Sequence, residues 1–131
     1  MKKDIEIPKV EGVYVAAVKE FNKDFGAEEW NAYLINDSET ALETVLIVTR
    51  GYDGRKQTST MRHKLEKLPV SSFAKIEFLQ EDVLALNNEF WITFFRDGKM
   101  FEKKFVFRKN SINEKAVQDL PVIPKKGVLV K

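Results

Sequence analysis

The chain contains no cysteine and one histidine, His63. Without cysteine there is no disulfide framework, no thiolate metal site and no thiol nucleophile. One imidazole falls short of the three or four ligands that hold zinc. A Ser-His-Asp relay would have to pair His63 with Ser59, Ser71 or Ser72, none of which sits in a G-x-S-x-G elbow that would strain and expose it. The stretch Gly51-Tyr52-Asp53-Gly54-Arg55-Lys56 departs from the phosphate-loop spacing and reads as a tight turn between strands. The acidic pairs Glu28-Glu29 and Glu81-Asp82 are adjacent, so extended backbone sends their members to opposite sides and builds neither a calcium cage nor a glycosidase pair. No apolar run approaches the ~20 residues of a membrane span. The opening MKKDIEIPKVEG is charged and lacks the apolar segment of a signal peptide. These absences, with no repeat and no low-complexity tract, lead to the expectation of a cytoplasmic, non-catalytic protein with no cofactor and no metal; a chain without thiols suits a reducing compartment.

What is present is a globular composition: 131 residues, 44% apolar and 32% charged, with ten phenylalanines. That length fits one domain, residues 1–131, able to bury roughly two-thirds of its unfolded surface. The chain is organised around Asn87–Phe107, NNEFWITFFRDGKMFEKKFVF. Two β-forming runs flank Asp97-Gly98, the dipeptide of a two-residue type I′ hairpin. That turn sets Arg96 opposite Lys99. One face then carries Phe90, Ile92, Phe94, Phe101, Phe105 and Phe107, with Lys103 as its one charge, and must be covered. The other pairs Phe95 with Met100, Thr93 with Glu102 and Trp91 with Lys104, and is expected to be half covered.

The remaining segments supply the cover. A hairpin is expected over Val13–Asn36, its first strand apolar on both faces through Val13–Val18, which predicts cover on both sides or a dimer contact. Leu42–Tyr52 reads as a central strand, Arg55–Leu65 as a polar edge strand, and Phe73–Leu79 as a further strand. Residues 81–86 read as one helical turn. Asn110-Ser111 offers a cap for a short helix over residues 112–120, where Ile112, Ala116, Val117 and Leu120 share a face and Pro121 stops the run. Residues 1–11 read as an extended lead-in and 121–131 as an edge segment. About seven strands at short spacing predict an all-β antiparallel sandwich, specifically an Ig-like Greek key, with a half-open barrel as the rival.

Net charge is +2, but it is unevenly spread. Residues 1–54 carry six basic and eleven acidic side chains, and residues 55–131 carry sixteen and nine. The halves either pack as complementary layers, pair between copies, or mark an anionic partner. The run Ser59–Lys64, then Phe73–Glu77, Leu86–Phe90 and Ile123–Val128, resembles a group of short uncharacterised bacterial proteins sometimes labelled phenylalanyl-tRNA synthetase alpha subunit. The resemblance covers most of the chain and implies no activity. A class II synthetase core is much longer and needs an ATP-binding arginine motif and a glycine-rich third motif, both absent here, so no residue role is carried over. The expected function is a protein-interaction or structural module, as a homodimer or with another protein, acting through a surface of Trp91, Phe95, Lys104, Arg62 and His63. A nucleic-acid or tRNA-associated binder using the basic second half is the alternative, an enzyme the third.

Overall fold

The computed structural model describes residues 10–130 and is a two-layer antiparallel β-sandwich. In chain order the strands are β1 (Val13–Asn22), β2 (Ala27–Asn36), β3 (Leu42–Asp53), β4 (Lys56–Gln57), β5 (Met61–Leu68), β6 (Ser72–Leu79), β7 (Asn87–Arg96), β8 (Lys99–Phe107), β9 (Gln118–Asp119) and β10 (Lys126–Val130). Sheet A has the order β6-β2-β1-β10-β9. Sheet B has β3 between β5 and β7, with β8 beyond β7 and the short β4 extending β3. The chain crosses between layers at β2–β3, β5–β6, β6–β7 and β8–β9.

The central hairpin forms as its residues dictate. Asp97 and Gly98 both take positive φ, 53° and 75°, as a type I′ turn demands. From there Phe94 lies opposite Phe101, Trp91 opposite Lys104 and Asn88 opposite Phe107. The phenyl face turns inward: Phe90, Phe94, Phe105 and Phe107 are buried. Phe94 stacks on Phe101, while Phe90 meets Phe107 edge-on. Sheet A closes over them with Val13, Val15 and Ala17 of β1 and Trp30, Ala32 and Leu34 of β2. Buried Asn36 ties the first crossing, its side-chain amide donating to the carbonyls of Thr40, Leu68 and Pro69.

The opposite face of β1 is apolar too, and the chain itself covers it. Ala16 and Ile35 pack under Ile123, with Leu120, Val122 and Leu129 around them. The doubly apolar strand therefore needs no second copy.

Three expectations are corrected. Residues 112–120 do not form a helix: the run holds a single 3-10 turn, Glu114–Ala116, and then β9. Asn113 caps that turn by accepting from the Lys115 amide, but pairing of β9 with Lys126 and Gly127 holds the chain extended. Residues 121–131 are not simply an edge segment, because β10 lies between β1 and β9. Gly127 permits this: a β-carbon there would stand 2.6 Å from the Ala17 carbonyl oxygen. The polar strand expected over Arg55–Leu65 is broken at Thr58–Thr60, where the Thr58 hydroxyl accepts the Gly51 amide, and resumes as β5. Within β3, Thr44 takes φ 48° at a bulge, so Leu42 and Val45 both face the core and Leu46 and Val48 face outward. The expected lead-in over residues 1–11 lies mostly outside the described residues; Val10 packs against the core.

Candidate functional site

The outer face of sheet B is built by register. Reading across β5, β3, β7 and β8, one row is Arg62–Val48–Trp91–Lys104 and the next is Lys64–Leu46–Thr93–Glu102. Phe95 and Met100 follow toward the turn. Four large apolar side chains stand in water on this face: Leu46 is 45% exposed, Trp91 42%, Phe95 39% and Met100 56%. Cations stand at both ends of the Trp91 row.

Trp91 is oriented by its neighbours on β8. Its indole Nε1 donates to Glu102 Oε2 at 2.8 Å, and the Lys104 ammonium lies 5.7 Å from the ring centroid. Beyond it, buried Glu89 receives Arg50 Nε at 3.2 Å and faces Lys104 Nζ at 4.0 Å. The Arg50 guanidinium in turn covers the Tyr52 ring at 5.1 Å. Glu89 is thus compensated, as a carboxylate taken out of water must be, and among the described residues Arg62, Lys64 and Lys67 stand on the face outside any salt bridge, Lys67 opposite Glu43.

The structure brings Trp91, Phe95, Lys104 and Arg62 onto one face and leaves His63 off it. Adjacent strand residues point to opposite sides, so His63 turns toward the interlayer space. Its Nε2 lies 2.7 Å from Glu77 Oε1, which also accepts the Thr49 hydroxyl at 2.8 Å. The histidine therefore links β5 of sheet B to β6 of sheet A through Glu77, which with Thr49, Ser59, Gln80 and Asp82 lines a cleft of about 360 Å³. Sequence reasoning left Leu46, Val48 and Lys64 out of the surface, because the non-local pairing of β3 with β5 and β7 brings them in. The basic residues do not all gather: Lys103 lies on the inner side over Phe105, and Lys109 pairs with Asp53. Among the described residues no group of three or more His, Cys, Asp or Glu could hold a metal ion. No helix there is long and apolar enough to cross a membrane.

A second polar cluster sits on the outer face of sheet A. Glu20 accepts from Asn31 Nδ2 at 2.8 Å, the Tyr33 hydroxyl at 2.7 Å and Lys125 Nζ at 2.5 Å. Burial pushes the Glu20 carboxyl up, but those three donors outweigh it and hold it below the ordinary carboxylate range. Burial and the adjacent Glu20 charge push the Tyr33 phenol above its ordinary value. The cluster fastens the Leu120–Lys125 cover to the sheet. Among the described residues, buried Asn31 Oδ1 has no hydrogen-bond partner.

No protein-family model, no curated protein and no solved structure matches this chain.

Proposed function

We propose that this chain is a non-catalytic protein-interaction module of the cytoplasm, with the outer face of sheet B as its contact surface. The observation that carries the reading is the exposure of Leu46, Trp91, Phe95 and Met100 together on a regular sheet face. Soluble proteins rarely leave such a patch without a use. An aromatic and methionine centre with charges at its margins is the composition of a protein contact. The scaffold reading is an Ig-like Greek key, supported by β6-β2-β1 facing β5-β3-β7-β8, with β9 and β10 added beside β1.

The test compares the proteins retained from native extract by the wild type with those retained by Trp91→Ala/Phe95→Ser. Specific partners should vanish with the double variant and persist with a control substitution at exposed Phe73. Identical profiles for all three would remove the reading.

A nucleic-acid contact is the second reading, favoured by the Lys104 ammonium beside the exposed Trp91 ring, a pairing that can stack a base. Binding of labelled RNA that weakens steeply with salt would select it.

A further inference from the structure

We infer that the partner of the sheet B face is a second copy of this chain, which inserts the tip of its β1–β2 hairpin. This rests on the reading of that face as a protein contact and names what fills it. The tip carries the two most exposed large apolar side chains of the described residues, Phe21 at 61% and Phe25 at 80%. Its turn is locked from within. The Asn22 side chain accepts the amides of Asp24 and Phe25, the Asn22 carbonyl accepts the Gly26 amide, and Gly26 supplies φ 64°. Asn22 Nδ2 also donates to Glu29 across the hairpin. A turn so fully satisfied holds the Phe25 ring outward, 80% exposed.

Charge selects the acceptor. The segment Glu20–Glu29 carries four acids; Glu20 is held by Lys125 and Glu28 by Lys19, which leaves Asp24 and Glu29, with Lys23 beside Asp24, without a cationic partner among the described residues. The sheet B face offers Arg62, Lys64 and Lys67 beside exposed Leu46 and Trp91, with Glu43 next to Lys67 and Glu102 bound to the Trp91 indole. Apolar centre meets apolar centre, and the acidic margin meets the basic one. Geometry makes the contact intermolecular, since the tip belongs to sheet A while this face points away from sheet A. Two different surfaces are joined, so the contact is heterologous: each copy retains a free tip and a free face, and association does not stop at two. A contact made by two Phe rings is well below the size of a permanent interface, so the association is weak and concentration-dependent.

Sedimentation velocity over rising protein concentration tests this, with three samples: the wild type, a tip variant (Phe21→Ser/Phe25→Ser) and a face variant (Trp91→Ala/Phe95→Ser). All the substituted residues are exposed, and melting curves confirm folding; Arg62→Glu/Lys64→Glu serves as a second face variant that leaves the apolar residues in place. The wild type should grow past a dimer, and growth should weaken about threefold or more as salt rises from about 0.05 M to about 0.5 M. Each variant alone should associate about tenfold or more weakly. Mixing tip and face variants should restore one contact and yield a one-to-one dimer that goes no further. A wild type monomeric to about 1 mM overturns the inference, because a self-contact too weak to fill there is negligible beside its competitors. Loss with the face variant but not the tip variant would indicate face-to-face pairing, which overturns the inference and leaves the interaction face standing. Loss with the tip variant alone overturns both.

Discussion

The two sheets share one core and treat the centres of their outer faces in opposite ways. Around β1, sheet A hides its outer apolar residues: Ala16 and Ile35 lie under Ile123, and Lys125 is fastened to Glu20 above them, while Phe73 and Phe78 stay exposed on the β6 edge. Sheet B leaves Leu46, Trp91, Phe95 and Met100 in water. The same physical demand, removal of apolar area from water at roughly 25 cal/mol per Å², is met in one case within the chain and in the other not at all. The difference teaches where to look for function. A covered face contributes to stability, and an open one remains available to something outside the chain.

Breaking the cover should have the largest effect. Ile123→Ala removes the buried side chain that closes over Ala16 and Ile35 and should lower the unfolding free energy by about 2–4 kcal/mol in urea titration. Gly127→Ala should cost about 1–3 kcal/mol, because the new β-carbon meets the Ala17 carbonyl and β10 must shift away from β1. A smaller effect is confined to acid. Glu20 is held below its ordinary value, so its folded form binds a proton less readily than the unfolded chain does. Its contribution is therefore complete above the unfolded value, near 4.5, and is lost as pH falls through the lower folded value. Glu20→Gln should flatten that stretch of the pH–stability curve and leave the slope near neutral pH unchanged. Leu46→Ala on the open face should change stability least, by about 0.5–1 kcal/mol. Equal losses for Leu46→Ala and Ile123→Ala would erase the contrast between the faces.

How much of this was legible in the sequence follows how local each determinant is. Asp97-Gly98 announces its turn, and two-residue alternation from it places every side chain of β7 and β8 correctly, Trp91 and Lys104 included. The Val13–Asn36 hairpin was legible for the same reason. Non-local features were not. The apolar spacing of Ile112, Ala116, Val117 and Leu120 suits a helix, but nine residues form a marginal helix, and pairing with a strand further along captures Gln118 and Asp119 instead. The bulge at Thr44 carries no sequence marker, yet it shifts the alternation of β3 and turns Leu46 outward. At the candidate surface, Arg62 and His63 were grouped together although successive residues of a strand cannot share a face. Alternation alone separates them.

The turn at Asp97 and Gly98 governs more than the hairpin it closes. Trp91 lies six residues before Asp97, roughly 20 Å along the strand, yet those two residues decide what stands beside it. One extra residue in the loop would slide β8 by a step. The indole would then stand opposite Phe105 or Lys103 in place of Lys104, and the dry and wet sides of the two strands would no longer coincide. The chemical character of a broad surface thus depends on the backbone conformation of two small residues at its far end.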